Sequence, residues 1–407
     1  MKINSDVHLT YCLNVHPGGT TAEMERAVFE HASEVFRLVA EATGCNGPWG
    51  IGLWLSRAVT SDLLDPARRH LFRRRLEDEG LHVATLNGFP YGEFHGRRVK
   101  DAVYRPDWSE PERLRYSCDL AEVLADLIPR GTTGTISTVP VTYAAWADEA
   151  RVARAIDSLA DAALRLAEIE DRTGRAVTLA LEPEPDCMLE TMAGAADFLE
   201  TRVLPAGIVR LGRRGGLVKG EAERLIRRHL GICMDTVHEA VAGEDPLEGL
   251  SACHAAGWAV PKVQIGAALR YAGPIEGARA ALGPFHDEVY LHQTRVATAT
   301  GDLRFPDLPD ALDTLDDRCR EVRVHYHLPS SWVGTPLPGG AEAMSVLSPA
   351  LLSAAIDGGT RVLEVEVYSL DLLPDADGRA HEVLADDLVR VLDMLAPSPS
   401  PSERGPG

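Results

Sequence analysis

The sequence lacks a long hydrophobic run, because polar or charged residues interrupt every apolar segment before it reaches the length of a membrane span. The stretch 1–15 has no sustained apolar core ahead of Asp6 and His8, which argues against a secretory signal. Cysteine is scarce: the seven residues are irregularly spaced and none forms a CxxC pair, a usage typical of reduced thiols. These absences predict a cytoplasmic protein.

Basic side chains are also in deficit. The chain has 41 Lys and Arg against 61 Asp and Glu, which gives a formal net charge of −20. Such a surface repels the phosphate backbone of nucleic acids and anionic lipid headgroups. We therefore expect no nucleic acid partner and no stable membrane association, and expect a small-molecule substrate instead. The charge leaves the oligomeric state open.

Short apolar runs alternate with longer amphipathic segments along the chain. Each run is β-branched or apolar and is bounded by Gly, Pro or polar residues, as buried parallel strands are. The candidate strands are 8–15, 51–56, 82–89, 134–140, 177–185, 231–238, 259–266, 322–329 and 361–368. Apolar residues at three- and four-residue spacing predict helices over 22–43, 109–128, 147–173 and 245–257. This alternation predicts a (β/α)₈ TIM barrel over residues 1–395.

Details of this pattern refine the barrel. Ser109 is placed to cap the second of these helices. Nine candidate strands exceed eight, and 267–321 is too long for a plain loop, so we expect an insertion around the seventh βα unit, such as a hairpin over the mouth, with a possible strand at 289–295. Either 259–266 or 322–329 is then the seventh strand. Residues 396–407, rich in Pro, Ser and Gly, predict a disordered tail.

Polar residues concentrate at the ends of the later candidate strands, the face where barrels of this kind carry their active sites. Side chains two apart in a strand share a face, so Glu364 and Glu366 point the same way, and their apolar neighbours place both inside the barrel. Buried carboxylates are costly unless paired, protonated or bound to metal. We therefore predict a divalent cation, Mn, Mg, Zn, Co or Fe, with the candidate ligands Glu182, Asp235, His238, Gln264, His327 and Glu366.

Each residue also has a purely structural interpretation. Glu182 alone fits a salt-bridged core glutamate. His325 and His327, taken singly, fit hydrogen-bonded core histidines. Asp235 and His238 fit a helix cap and its partner. The order of Glu, Asp, Gln and Glu on four successive strand ends favours the metal over these alternatives.

The same order resembles the ligand pattern of the xylose-isomerase-like superfamily, which includes sugar epimerases, inosose-processing enzymes and endonuclease IV. Residues 233–243 (CMDTVHEAVAG) look like the Asp–His motif of endonuclease IV. Nearly the whole chain resembles the EboE family of metabolite traffic proteins, and the stretches that carry this resemblance are 9–18, 85–96, 99–116, 136–140, 181–185, 234–238, 262–269, 290–294, 323–329 and 363–369. The run 367–369 departs from the Thr-Tyr-Thr-Trp-like pattern of that family. The resemblance implies the barrel and the metal site, but not a reaction.

Three functions remain open. A metal-dependent isomerase or epimerase of a small polyol or ketose would use Glu182 and Glu366 to pass a proton, with Lys262 or His238 polarising a carbonyl. A phosphodiesterase of the endonuclease IV type would need several metals, with His238, His325 and His327 as extra ligands. A metabolite-binding or traffic protein would need no turnover. In each case the predicted substrate contacts are His16, Asn87, His95, His292 and His325.

Overall fold

Eight parallel strands follow one another around a ring. In this structure, a computed structural model that describes residues 1–3, 6–93, 95–96, 98–370 and 378–396, the ring strands are β1 (His8–Tyr11), β2 (Trp49–Trp54), β3 (Leu81–Asn87), β4 (Gly134–Thr138), β5 (Val177–Leu181), β6 (Leu230–Asp235), β7 (Lys262–Ile265) and, last, Val362–Val365. Neighbouring strands pair in chain order, and the last strand pairs with both β7 and β1. A parallel bridge from Cys12 to Gly52 joins the first two strands. The predicted barrel is therefore confirmed.

An antiparallel sheet interrupts the barrel between its seventh and eighth strands. It contains β8 (Ala267–Tyr271), β9 (Thr294–Thr298), β10 (Gly301–Phe305), β11 (Cys319–Leu328) and β12 (Glu342–Met344), in the order β10-β9-β11-β8-β12. The last barrel strand is therefore β13. The insertion predicted at the seventh unit is confirmed, but it is a five-stranded sheet and extends past residue 321. β7 is the seventh strand, and 322–329 belongs to the inserted sheet.

Helices cover the connections. They are α1 (Thr21–Arg26), α2 (Ser33–Thr43), α3 (Arg57–Leu63), α4 (Pro66–Asp78), α5 (Pro111–Leu127), α6 (Glu149–Thr173), α7 (Met192–Phe198), α8 (Leu204–Gly215), α9 (Lys219–His229), α10 (Thr236–Ala242), α11 (Pro246–Ala255), α12 (Ala278–Leu282), α13 (Leu308–Thr314), α14 (Pro349–Asp357) and α15 (Ala380–Leu395). A π-helical stretch, Ala27–Ala32, joins α1 to α2. No helix of the described part is both long and apolar enough to span a membrane.

Of two helix ends where the sequence suggests a specific residue, one follows the expected chemistry and the other does not. The helix α6 ends where Gly174 adopts φ +68°, a left-handed conformation that glycine enters without steric cost. Ser109 does not cap α5, because its hydroxyl donates to the Asp107 carboxylate at 2.6 Å and Glu110 takes the cap position. The helix α15 ends at Leu395, and the expected disordered tail from residue 397 onward lies outside the described residues.

Candidate metal centre

A cavity of about 590 Å³ opens at the carboxyl ends of the barrel strands. The barrel contributes one wall, and the inserted sheet with the segment before β9 contributes the other. Its lining includes Asn14, Asn87, Tyr104, Glu182, Glu184, His238, Tyr290, His325, His327, Glu366 and Tyr368. The pocket therefore lies where parallel barrels place their active sites.

Three buried carboxylates, Glu182, Asp235 and Glu366, cluster at the barrel side of this cavity; Glu182 and Glu366 line it, whereas Asp235 is not among its described lining residues. Glu182 directly follows β5, Asp235 ends β6 and Glu366 directly follows β13, so all three come from strand ends on one face. The amide nitrogen of Gln264, on β7 between the last two, lies 3.3 Å from Glu182 Oε1 and 3.4 Å from Asp235 Oδ2, and also donates to Glu366. The structure thus brings together the four residues that the strand-end pattern singled out.

Two amides fix the Glu366 carboxylate from the opposite side. The Nδ2 atoms of Asn14 and Asn87 donate to its Oε1 atom at 2.7 and 2.8 Å. Asp235 is held through Oδ1, which accepts the Val237 N–H at 2.7 Å and caps α10. The cap expected as an alternative role for Asp235 is therefore present, and it leaves Oδ2 facing the cluster.

Burial raises the pKa of each of these three carboxyl groups. The pKa of Glu182 lies well above its ordinary value because of burial and the facing Asp235 charge. The pKa of Glu366 is raised by burial and then by Glu182 and Asp235. Like charges this close cannot all ionise in a dry site without a compensating cation.

The residues present fit a divalent metal. Within the described chain, Glu182 Oε2 is buried and has no hydrogen-bond partner. One ligand atom each of Glu182, Asp235 and His238 lie within 4.8 Å of one another. Ligand atoms of Asp235, His327 and Glu366 form a second group with the same spacing. Oxygen and imidazole donors suit Mn²⁺, Zn²⁺, Co²⁺ or Fe²⁺, and an oxygen-only set also suits Mg²⁺.

The Gln264 amide faces the cluster with its nitrogen, because Cys233 Sγ donates to its Oε1 atom at 3.0 Å. An amide nitrogen is not a metal ligand, so coordination by Gln264 requires the side-chain amide to be flipped. The flip exchanges the positions of Oε1 and Nε2. The predicted ligand role of Gln264 therefore depends on this rotation.

Lys262 does not line the cavity. Its ammonium lies inside the barrel, 2.5 Å from Glu364 Oε2 and 3.2 Å from Ser137 Oγ, and both charged side chains are fully buried. Burial opposes its charge, but the carboxylate of Glu364 together with Cys233, Cys12 and Glu366 outweighs burial and raises the pKa of Lys262. The catalytic role predicted for Lys262 stays a prediction. In the structure its ammonium pairs with the buried Glu364 carboxylate inside the barrel.

The predicted substrate contacts divide into two groups. Asn87 and His325 line the cavity, whereas His16, His95 and His292 are not among its described lining residues. His16 stacks on His31 with ring centroids 4.4 Å apart, and His95 packs near Trp54. His292 bonds the Asp287 carboxylate through Nε2 and the His325 carbonyl through Nδ1 at 2.9 Å, so its ring supports the wall from behind.

Several lining residues were not among the predicted site residues. Glu184 accepts from Tyr104 Oη at 2.6 Å and from Gln293 Nε2 at 3.1 Å, yet burial still raises its pKa to about 8. Its place two residues after Glu182 was a usable signal, because residues two apart share a face. Tyr104 and Tyr290 belong to loops far apart in sequence, and no local pattern marks them.

No family model and no curated protein matches the chain. Solved structures share its chain path over nearly its whole length. One is an IolI protein with a zinc atom, at 14% identity and TM-score 0.48, covering 95% of this chain and 98% of that one. A Methylomonas sp. D-allulose 3-epimerase in complex with D-allulose has 14% identity, TM-score 0.46 and coverages of 97% and 98%. A Clostridium cellulolyticum H10 D-psicose 3-epimerase with D-tagatose has 10% identity, TM-score 0.47 and coverages of 95% and 97%. Such identities do not decide the chemistry, which rests on this site's own residues.

Proposed function

We propose that the protein is a divalent-metal isomerase or epimerase that acts on a small polyhydroxylated ketone. The observation that carries this proposal is the cluster of Glu182, Asp235 and Glu366 around the Gln264 amide. Two of the three carboxylates line the cavity, and the Oε2 atom of Glu182 is unpartnered among the described residues. Carboxylate, imidazole and amide side chains line the cavity among apolar and aromatic ones, as in many small-molecule sites.

Two of these side chains, Glu182 and Glu366, suit the two steps of a proton transfer. Glu182 Oε2 is the base that takes the proton from the carbon beside the carbonyl, because it is buried and accepts no hydrogen bond from the described residues. Glu366, on the other side of the cluster, enters the step protonated and gives its own proton to the resulting enediolate. Glu182 is then protonated and Glu366 ionised, and proton exchange with solvent resets both groups. Asn14 and Asn87 hold Glu366 in place through Oε1.

A bound divalent metal would hold two substrate oxygens and stabilise the charge of an enediolate. The residues that would hold it are Glu182, Asp235, Glu366 and, after the amide rotation, Gln264. Aromatic side chains of Tyr104, Tyr290 and Tyr368 line the cavity and would help to keep water from the reacting carbons.

Solvent exchange tests this reaction class without knowledge of the natural substrate. Metal-loaded protein is incubated in D₂O with ketohexoses, ketopentoses and inososes, and deuterium at the carbon beside the carbonyl is measured by mass spectrometry. We expect incorporation with the wild type and none with Glu182→Gln or Glu366→Gln. Absence of exchange across the whole panel, with metal present, would contradict the proposal.

Metal analysis of the same variants supplies the matching control. Glu182→Gln and Glu366→Gln should lose the metal of the carboxylate cluster and remain folded. Glu184→Gln, a buried glutamate on the same strand end whose donors are Tyr104 and Gln293, should retain it. Unchanged metal content in both cluster variants would remove the assignment.

A phosphodiesterase remains the second candidate, because three imidazoles adjoin the carboxylates and would add ligands for further metals. Cleavage of an abasic-site duplex tests it, and the net charge of −20 opposes binding of DNA. The narrower assignment to metabolite traffic rests on the sequence resemblance to the EboE family. Incubation with candidate metabolites, followed by mass spectrometry, separates binding from conversion.

A further inference from the structure

Three buried imidazoles meet at the edge of the cavity, and they come from two different parts of the fold. His238 lies in α10, directly after the sixth barrel strand, whereas His325 and His327 lie on β11 of the inserted sheet. The Nε2 atom of His325 is 3.2 Å from that of His238 and 3.0 Å from that of His327. Nitrogen atoms of three side chains therefore point at one small volume.

The outer nitrogen of each ring faces an oxygen that accepts. His238 Nδ1 is 2.8 Å from the Pro183 carbonyl, and His327 Nδ1 is 3.0 Å from the Glu366 carbonyl. A backbone carbonyl only accepts hydrogen bonds, so in both rings Nδ1 carries the proton. Both Nε2 atoms then present a lone pair when the rings are neutral.

The third ring has the same tautomer for a less direct reason. His325 Nδ1 lies 2.7 Å from Gln293 Oε1. The orientation of that amide is fixed because its nitrogen donates to the Pro185 carbonyl at 3.1 Å, which a flipped amide oxygen would repel. His325 therefore also carries its proton on Nδ1, and its Nε2 lone pair faces the other two.

Lone pairs this close repel one another unless a cation lies between them. Metal-binding histidines characteristically donate their second ring N–H to a carbonyl or carboxylate, which fixes the tautomer and aims the ligand atom. We propose that His238, His325 and His327 form a second metal site, beside the carboxylate cluster, for a transition-metal dication such as Zn²⁺ or Co²⁺. Mg²⁺ fits this site poorly, because it prefers oxygen ligands.

The strand β11 is built to deliver its two histidines. Its pairing with β8 shifts register between Val324 and Leu328, so the histidine stretch leaves that ladder. Other partners hold the backbone there: the His325 N–H donates to the Gln293 carbonyl at 2.9 Å and the His327 N–H to Ser369 Oγ at 3.2 Å. Residues two apart keep a common face, which turns both rings toward His238.

This inference does not depend on the proposed reaction. In this assignment the carboxylate set of Glu182, Asp235, Gln264 and Glu366 and the imidazole set share no residue. The two sets adjoin, because His238 Nε2 lies 3.9 Å from Asp235 Oδ2 and His327 lies near Asp235 and Glu366. In the tautomer inferred from the Pro183 carbonyl, His238 Nε2 accepts and cannot donate to a substrate carbonyl. We therefore assign His238 to metal binding in place of carbonyl polarisation.

Metal stoichiometry separates the two sites. The full chain is stripped with a chelator, reloaded with Co²⁺ or Zn²⁺, and analysed by mass spectrometry and visible absorption. We expect two equivalents in the wild type and one in His325→Ala, whose remaining metal occupies the carboxylate cluster. Glu182→Gln should lose the other equivalent, and His16→Ala, a buried histidine outside both sets, should keep two.

The proposed function and this inference fail in distinguishable ways. An unchanged stoichiometry and cobalt spectrum in His325→Ala overturns the imidazole site, whatever Glu182→Gln does. A Glu182→Gln variant that retains two equivalents overturns the carboxylate site alone. Gln293→Leu removes the acceptor that orients His325 and should weaken Zn²⁺ binding by about 10- to 100-fold.

The wild-type protein alone provides a second test, which holds even where a variant fails to fold. Long-range ¹H–¹⁵N spectra of the metal-free protein report which ring nitrogen carries each proton. We expect Nδ1–H tautomers for His238, His325 and His327, and a shift of the three Nε2 resonances on addition of Zn²⁺. A neutral ring whose single proton is on Nε2 in any of the three, or Nε2 resonances that do not respond to Zn²⁺, would overturn the inference.

Discussion

Replacing Lys262 by methionine should destabilise the barrel, and replacing its partner Glu364 in the same protein should restore the lost stability. The ammonium of Lys262 and the carboxylate of Glu364 are 2.5 Å apart and fully buried. Removal of one member of such a pair leaves the other charge uncompensated and costs about 3–5 kcal/mol, whereas replacement of both by apolar groups is often neutral. Lys262→Met and Glu364→Met should therefore each be costly, and the double variant should approach the wild type.

The expected shift in melting temperature follows from chain length. Unfolding entropy near the transition is about 2.1 cal/mol/K per residue, or about 0.85 kcal/mol/K for this chain, so each kcal/mol lowers Tm by about 1 °C. The single variants should melt about 4–6 °C below the wild type. Methionine is chosen because a Cβ at Gly52 would already overlap the Glu364 carboxylate, which leaves no room for a branched side chain.

Calorimetry of the four proteins completes a double-mutant cycle. A coupling free energy of about 3 kcal/mol or more confirms the pair as structural. Additive single costs, or a Lys262→Met protein with a wild-type Tm, would refute this reasoning. A Lys262→Met protein that melts normally but no longer catalyses deuterium exchange would instead restore the catalytic role predicted from the sequence.

Two further predictions concern the opposite end of the barrel and the tail. Burial, with the facing His82, lowers the pKa of His8 to about 3, and burial lowers that of His82 to about 4; their ring nitrogens lie 3.2 Å apart. Both folded pKa values lie below the unfolded value of about 6.5, so the contribution of the two neutral histidines to the free energy of unfolding is complete above that pH. It is lost as pH falls toward 4, at up to about 1.4 kcal/mol per pH unit for each proton. Urea unfolding between pH 7 and 4.5 should therefore show a shallower loss for the double variant His8→Asn, His82→Asn, and parallel curves would contradict this. Truncation after Pro397 should leave Tm unchanged, since the removed composition cannot bury enough apolar surface to offset its ordering entropy; a Tm lowered by several degrees would contradict it.

The barrel could be predicted from the sequence because its strands are local patterns with clear boundaries. The residues 322–329 show why the seventh strand could not be assigned: their apolar character suits a barrel strand as well as the centre of an antiparallel sheet. The distinction lies in pairing with β8 and β9, which are separated from β11 in sequence. The shared inward face of Glu364 and Glu366 was predicted, and both are buried.

The depth of a side chain along the barrel axis was harder to predict than the face of the strand on which it lies. Glu364 pairs in register with Gln264 within the sheet, so its side chain stays at the level of the strands and meets Lys262. Glu366 lies two residues further on, past the end of β13, and reaches the cavity. Alternation gives the face but not the layer, because the layer depends on strand stagger around the ring. For this reason Lys262 entered the predicted site although its ammonium lies beneath it.

The imidazole cluster shows a limit of a different kind. His325 and His327 share a face by alternation, and His238 follows a strand end, so each was visible as a candidate. Their meeting depends on the inserted sheet folding back over the barrel, which no local pattern specifies. The barrel strand ends supply the carboxylates and the insertion supplies two of the three imidazoles, so the two halves of the centre belong to separately formed sheets. A metal bound at both sets would therefore join the insertion to the barrel, and loss of metal should loosen the β11 wall before it affects the strands beneath.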